Sequence, residues 1–339
     1  MIFVSHHLTE KKIGLTIWTD ELEQVGQLDG RDFSGLCRAD ESGNLFAVDY
    51  GSGVVYRITT DFKQEATGIK ATNDVHGIAM VHDLLAMTDT ATDRVRFYDV
   101  GSCKQVAEWS AGKELADLHH INGICASQGP GSSCGELVVS VAVMDSSLNK
   151  RIARQGGLVD IGPWWRGTGL PRVIRRGLSL PHTPFFFGNC LWFVESSPGI
   201  LWCNDRLFWS YSGFLRGLSV SQDKIIVGST GWNRGTSGYH NNQLSCLFWL
   251  NGNGMVVRGK EMPLEFGQIF EVVWVPESVP EDVSEIVLEA IPILPALDLL
   301  PEPLEVLPAA LPVVRPEALP ALEVPLEEPE GESEWNFWT

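Results

Sequence analysis

The sequence predicts an all-β fold, a six-bladed β-propeller with an extended proline-rich C-terminal arm, and three observations carry that prediction. A motif of about 25 residues returns five times at blade-like spacing. A lone strand at the end of the repeats lacks partners, while two strands at the start lack an inner neighbour. Charge and proline content then change abruptly at residue 277.

The clearest copy is Ser34-Gly35-Leu36, then Gly43-Asn44-Leu45-Phe46-Ala47-Val48-Asp49 and Val54-Val55-Tyr56-Arg57-Ile58. A second runs from His76-Gly77-Ile78-Ala79 through Leu84-Leu85-Ala86-Met87-Thr88-Asp89 to Arg94-Val95-Arg96-Phe97-Tyr98-Asp99. Each copy reads as three strands. Such a unit cannot bury both faces alone, so copies stack radially.

The later copies keep the order of a small or polar anchor, a strand, a turn and an apolar second strand. The third runs from Asn122-Gly123-Ile124 through Leu137-Val138-Val139 to Gly157-Leu158-Val159-Asp160-Ile161. The fourth opens at Pro181-His182-Thr183-Pro184, continues through Leu191-Trp192-Phe193-Val194-Glu195 and ends at Gly199-Ile200-Leu201-Trp202. The fifth opens at Arg216-Gly217-Leu218, with Lys224-Ile225-Ile226-Val227-Gly228 and Cys246-Leu247-Phe248-Trp249 after it.

Phe270-Glu271-Val272-Val273-Trp274-Val275 reads as an inner strand without followers, and Ile2-Phe3-Val4-Ser5 and Gly14-Leu15-Thr16-Ile17-Trp18 as outer strands without a leader. Joined, they complete a sixth four-stranded sheet and remove open edges. Seven blades are the alternative, if the long Gly123–His182 interval hides another. The domains expected are residues 1–276 as propeller and 277–339 as arm.

Composition supports that division. Residues 1–276 carry 28 acidic and 24 basic side chains, a net of −4, whereas residues 277–339 carry 15 acidic residues and Arg315, a net of −14. The second segment also holds 11 of the 19 prolines, which forbids long helices and favours extended backbone. One reading is a solvated acidic spacer. The other is a strap that docks on a protein partner through Leu299, Leu300, Leu304, Leu307, Leu311, Leu319 and Leu322, with Trp335, Phe337 and Trp338 as a terminal plug.

Net charge of −18 argues against nucleic acid, whose affinity comes from Lys and Arg on phosphates. No run approaches a membrane span, and Met1-Ile2-Phe3-Val4-Ser5 leads directly into His6-His7 without an apolar signal core. A cytoplasmic or particle-associated protein, not bound to membrane, is the expectation. Association as a homo- or hetero-oligomer is open. The seven cysteines, Cys37, Cys103, Cys125, Cys134, Cys190, Cys203 and Cys246, are scattered and odd in number, so free thiols acting as small core residues are expected.

The middle and later blades carry a family resemblance. His119-His120-Ile121-Asn122-Gly123, Gly157-Leu158-Val159-Asp160-Ile161, Gly177-Leu178-Ser179-Leu180-Pro181-His182-Thr183-Pro184, Leu191-Trp192-Phe193-Val194-Glu195-Ser196, Gly213-Phe214-Leu215-Arg216-Gly217-Leu218 and Ile269-Phe270-Glu271-Val272 occur in one order. Over residues 119–276 the chain thereby resembles an uncharacterised bacterial domain-of-unknown-function family of propeller type. It departs at Phe185-Phe186-Phe187, where a basic residue is expected, and in the tail. The resemblance implies a propeller and supplies no reaction.

In a propeller each inner strand starts beside the central channel, so the residue before each anchor tends to face the axis. Those positions are Ser34, His76, Asn122, His182, Arg216 and Glu271, with Asp74 and His120 two residues upstream on the same faces. Imidazoles, carboxylates and an arginine around one funnel are raw material for a ligand or anion site. They would equally suit a Zn²⁺ or Fe²⁺ ion, the one cofactor class these residue types suggest, or a His-assisted lyase or hydrolase. The structural reading is that the same groups hydrogen-bond between blades. His6, His7, His82 and His240 read as surface residues.

Gly162-Pro163-Trp164-Trp165-Arg166-Gly167 and Gly228–Tyr239 are Gly-rich stretches with aromatics and arginine, either binding loops or blade caps. Neither is a phosphate loop, and no GxSxG, HExxH or EF-hand pattern is present. Taken together the chain reads as a non-enzymatic binding or assembly propeller whose arm docks on a protein, with a structural role in a virion or other large assembly as one form of it. The competing class is an enzyme, a metal-assisted lyase or hydrolase working in the funnel.

Overall fold

A computed structural model describes residues 1–7, 12–40, 42–72, 74–112, 116–127, 136–145, 154–230 and 244–276. The arm at 277–339, with its Leu, Trp and Phe anchors, lies outside the described residues, as do Cys134 and His240. The described strands form six sheets of four, all antiparallel and all within the compact unit Met1–Val283.

Blade 1 comprises Phe33–Arg38, Leu45–Asp49, Val54–Ile58 and Gln64–Lys70. Blade 2 comprises Val75–Val81, Leu84–Asp89, Arg94–Asp99 and Lys104–Ser110. Blade 3 takes Ile121–Ala126, Leu137–Val141, Gly156–Asp160 and Arg172–Leu178. Blade 4 takes Pro181–Phe187, Cys190–Glu195, Ile200–Cys203 and Arg206–Ser210. Blade 5 is Phe214–Val220, Ile225–Thr230, Cys246–Leu250 and Val256–Glu261. Blade 6 is Gln268–Trp274 followed by Ile2–His7, Ile13–Trp18 and Gln24–Asp29.

Each inner strand packs against the inner strands of the blades before and after it, and blade 6 against blade 1, so the ring is closed. The core is divided among six apolar clusters, each lying between two neighbouring blades. A blade's second strand is therefore covered on both faces. In Ile2–His7 the alternation sends Ile2 and Val4 toward blade 5 and Phe3 toward blade 1. All six residues of that strand are buried, which corrects the surface reading of His6 and His7. His82 is exposed in its turn.

The fourth strand of each blade escapes a three-strand reading because it is largely exposed; Val256–Glu261 is exposed throughout. Without a buried face there is no periodic apolar signal to read. The Gly123–His182 interval holds blade 3 and a short helix, Gly162–Trp165, and the described residues contain no seventh sheet. Trp165 of that helix stacks on Phe97 at 4.4 Å between ring centres, and Trp164 packs on the same cluster. This Gly-rich stretch is a blade cap. Residues 231–239 of the other lie outside the described residues.

Closure runs through Ile2 opposite Trp274, Phe3 opposite Val273 and Val4 opposite Val272. The Met1 ammonium adds a 2.7 Å hydrogen bond to the Val275 carbonyl. Among the described residues no helix is long and apolar enough to cross a membrane.

Candidate functional site at the polar end of the channel

Every inner strand shows a break in register against its second strand, at one equivalent place. In blade 1 it falls between Phe33 and Gly35, in blade 3 between Ile121 and Gly123, in blade 5 between Leu215 and Leu218. A bulge inserts a residue without a ladder partner and re-aims its side chain. Counting from each bulge, the six equivalent axial residues are Ser34, His76, Asn122, Thr183, Arg216 and Phe270.

The position after each of these is Gly35, Gly77, Gly123, Pro184, Gly217 or Glu271. Glycine is there because neighbouring inner strands approach backbone to backbone. A Cβ on Gly77 would meet the Gly123 Cα at 2.8 Å, and one on Gly123 the Pro184 ring at 2.8 Å. His182 and Glu271 are thus one residue out of step with the other axial positions, on opposite sides. Blades 4 and 6 lack the glycine that marks the register elsewhere.

The axial residues link one blade to the next. Ser34 donates its hydroxyl to the Val75 carbonyl, His76 Nδ1 lies 3.3 Å from Asn122 Oδ1, and Asn122 Nδ2 donates to the Pro181 carbonyl at 3.4 Å. Gly217 N–H donates to Thr183 Oγ1 at 3.2 Å. Between blades 5 and 6 the contact changes kind, with the Arg216 guanidinium carbon 3.4 Å from the centre of the Phe270 ring. Arg216 is 8% exposed, and among the described residues no hydrogen bond or ion pair is formed by its guanidinium.

Around this centre His76 Nε2 bonds Asp74 Oδ1 at 3.1 Å, and the Tyr50 hydroxyl donates to the same oxygen at 3.1 Å. His120 stands edge-on to His76 at 5.1 Å, with Nδ1 3.0 Å from Asp117 Oδ1. Its backbone is left-handed, φ +53, and its N–H donates to Asp93 Oδ1 at 2.8 Å, which fixes the turn into blade 3. His7 packs on Tyr50 at 4.1 Å and on Phe270 at 5.1 Å. His182 is buried, but its Nδ1 is held by the Leu180 carbonyl at 2.9 Å and Ser196 Oγ at 2.8 Å.

The structure therefore brings His76, His120, Asn122 and Arg216 together, with His182 bonded to its own blade beside them. Glu271 has moved to the far side and lines the other mouth of the channel. Sequence reasoning missed His7, Tyr50, Asp117 and Phe270. Phe270 was findable from the bulge register; Tyr50 and Asp117, at a strand end and in a loop, leave no periodic signal.

Burial holds His7 neutral, pulling it down to about 3, and the positive Arg216 and His76 act in the same sense. Burial also lowers His76, with the Asp74 hydrogen bond only partly opposing it, and pushes His182 well below the ordinary value. Arg216 falls to about 10, again through burial, and stays charged at neutral pH. Burial would raise the Asp74 carboxyl, but His76, His120 and Tyr50 outweigh it and hold it below the ordinary value. The site thus presents one buried cation at the base and two carboxylates nearer solvent.

No group of three His, Cys, Asp or Glu side chains among the described residues is placed to hold a metal ion. The residues present do not fit the Zn²⁺ or Fe²⁺ centre that their types suggested. The six described cysteines are free, with Cys125 and Cys246 buried.

No protein-family model and no curated protein matches the sequence. Solved structures similar in fold include a Nidogen/Laminin complex, at TM-score 0.58 and 11% identity over 80% of this chain and 96% of that one. A protein of unknown function from Bacteroides caccae gives TM-score 0.54 and 14% identity, over 80% and 97%. A luciferin-regenerating enzyme gives TM-score 0.50 and 9% identity, over 80% and 82%. These similarities establish that the chain has the β-propeller fold.

Proposed function

We propose that this protein is a binding propeller whose polar axial centre seats a small anion, and whose arm at residues 277–339 docks on a protein partner. The carrying observation is Arg216, a buried guanidinium stacked on Phe270 with no acceptor among the described residues. A buried guanidinium with no hydrogen-bonded acceptor is costly even with Glu271 and Asp74 acting on its charge, and a carboxylate or phosphate is the acceptor a planar guanidinium fits best. Asp74 and Asp117, toward solvent, would accept hydroxyl groups on the same ligand.

Titration calorimetry on the full chain with hydroxycarboxylates and sugar phosphates tests the seat. Arg216→Met should weaken the best ligand at least about a hundredfold, while Arg216→Lys retains part of the affinity. Binding unchanged in Arg216→Met would end the proposal.

The enzyme reading has less support. His76, the best-placed base, has both ring nitrogens engaged by Asp74 and Asn122. Folds similar to this one occur both in a protein complex and in an enzyme, so the fold does not choose. The arm reading rests on sequence, on Leu and Val alternating with Pro and Glu, prolines lowering the entropy lost on docking. Tying repeated subunits of a virion or similar assembly is one use of such an arm. Hydrogen exchange in the assembled complex tests it: protection at 299–322 and 335–338 supports docking, and free-peptide exchange would overturn it.

A further inference from the structure

The opposite mouth of the channel holds a cavity of about 490 Å³. That volume falls within the range of small-molecule sites. Its wall is mostly apolar, with Ile78, Met80, Ile124, Phe185 and Trp274 from four of the six blades. Glu271 is the single acidic side chain lining it, and Arg38, exposed, is the single basic one.

Glu271 occupies the position that is Gly35, Gly77, Gly123 and Gly217 in four other blades. Where those blades present bare backbone, blade 6 projects a carboxyl group into the cavity. No ion pair within 4.0 Å joins Glu271 to a described cation. A carboxyl in a mostly apolar cavity that Phe185 and Trp274 also line is complementary to an ammonium group.

We propose that this cavity is a second ligand site, separate from the anion seat, for a small organic cation with an apolar body whose ammonium group rests against Glu271. An apolar body fills the walls. The charge matches the one carboxyl group that lines the cavity.

The groups whose charges act on Glu271 come from several blades. Burial drives its carboxyl up to about 8, opposed in part by Arg216 of blade 5 and the Thr183 hydroxyl of blade 4. The Cys37 thiol of blade 1 and the Cys125 thiol of blade 3 interact with Glu271, and burial keeps both protonated. An ammonium ligand selects the ionised carboxylate, so binding near pH 7 releases a proton from Glu271. Affinity then rises with pH until about 8 and levels above it.

The test compares 2-phenylethylammonium with its neutral isostere 2-phenylethanol by calorimetry on the full chain, in two buffers of different ionisation enthalpy. The ammonium should bind about tenfold or more tightly, with proton release, and Glu271→Gln should remove both the preference and the release. Arg216→Met removes a charge that lowers Glu271, so it should move the proton-release midpoint to higher pH while the preference persists above that midpoint, which separates this site from the anion seat. Ala126→Trp, which fills the cavity from its wall, should weaken both compounds. Equal binding of the alcohol, a preference surviving Glu271→Gln, absence of proton release, indifference to Ala126→Trp, or a preference absent from Arg216→Met at every pH would each overturn the proposal.

Discussion

The two ends of the channel are made by the same six strands, yet they differ in width and chemistry. At the N-terminal ends the strands bulge and close up over glycine, and the axial residues are Ser, His, Asn, Thr, Arg and Phe. At the C-terminal ends the strands have diverged around an apolar cavity. Narrowness at the first end is what permits blade-to-blade hydrogen bonds at 3.2–3.4 Å, and hence what leaves Arg216 as the conspicuous group without an acceptor. Width at the second end is what leaves room for a guest. The difference teaches that a single position per blade, glycine in four of them, decides whether an inner strand presents bare backbone or a side chain beside the cavity.

Removing residues 1–18 should abolish both ends at once, because it deletes the second and third strands of the blade that Gln268–Trp274 begins and opens the ring. Loss of the monomer peak in size-exclusion chromatography is expected. A monomeric truncated protein with an unchanged melting temperature would contradict the closure.

Tightening the narrow end selectively is the next largest perturbation. Gly77→Ala and Gly123→Ala place a Cβ 2.8 Å from the next blade, and each should cost about 1–3 kcal/mol in urea unfolding. Ala126→Val at the wide end should cost less than 1 kcal/mol, roughly, since space is available there. Equal costs would erase the distinction between the ends.

The ends should also separate by pH. His6 and His7 are pulled to about 3 by burial, so the unfolded chain binds more protons between about 3 and 6.5, and stability falls as pH drops through that window. Glu271 is raised to about 8 from 4.5, so the folded chain binds the extra proton, and stability falls as pH rises through that window. Glu271→Gln should flatten the alkaline limb and leave the acid limb in place. Thermal melts from pH 3 to 9 read both, and an alkaline limb that persists in Glu271→Gln would assign it elsewhere.

A small effect is also expected from Tyr50→Phe, which removes one partly buried hydrogen bond to Asp74. About 1 kcal/mol of stability should be lost, and the Asp74 titration followed by NMR should move upward. A downward shift would mean that another group holds that carboxylate.

How much of this was legible in the sequence follows from what leaves a periodic trace. Inner and second strands are buried and carry glycine markers, so blades 1, 2, 3 and 5 can be read with their axial residues Ser34, His76, Asn122 and Arg216. Blades 4 and 6 have Pro184 and Glu271 at the marker, so an anchor-based alignment slips by one residue and selects His182 and Glu271 where Thr183 and Phe270 are axial. His6 and His7 looked like surface because they read as polar loop residues after Ile2–Ser5, whereas the strand runs through them and both its faces meet another blade. The outer strands, being solvated, left almost nothing to read.

The sheet shared by Gln268–Trp274 and Ile2–His7 also sets a timetable. Blades 1 to 5 are each local in sequence and can condense as they are made. The first strands must wait for a partner about 270 residues later; the hydrogen bond from Met1 to Val275 spans 274 positions. At ordinary synthesis rates that wait is roughly ten to fifty seconds, during which strand edges stand open. Residence time on the ribosome, and the company kept there, should therefore govern the yield of this protein more strongly than the stability of its finished ring.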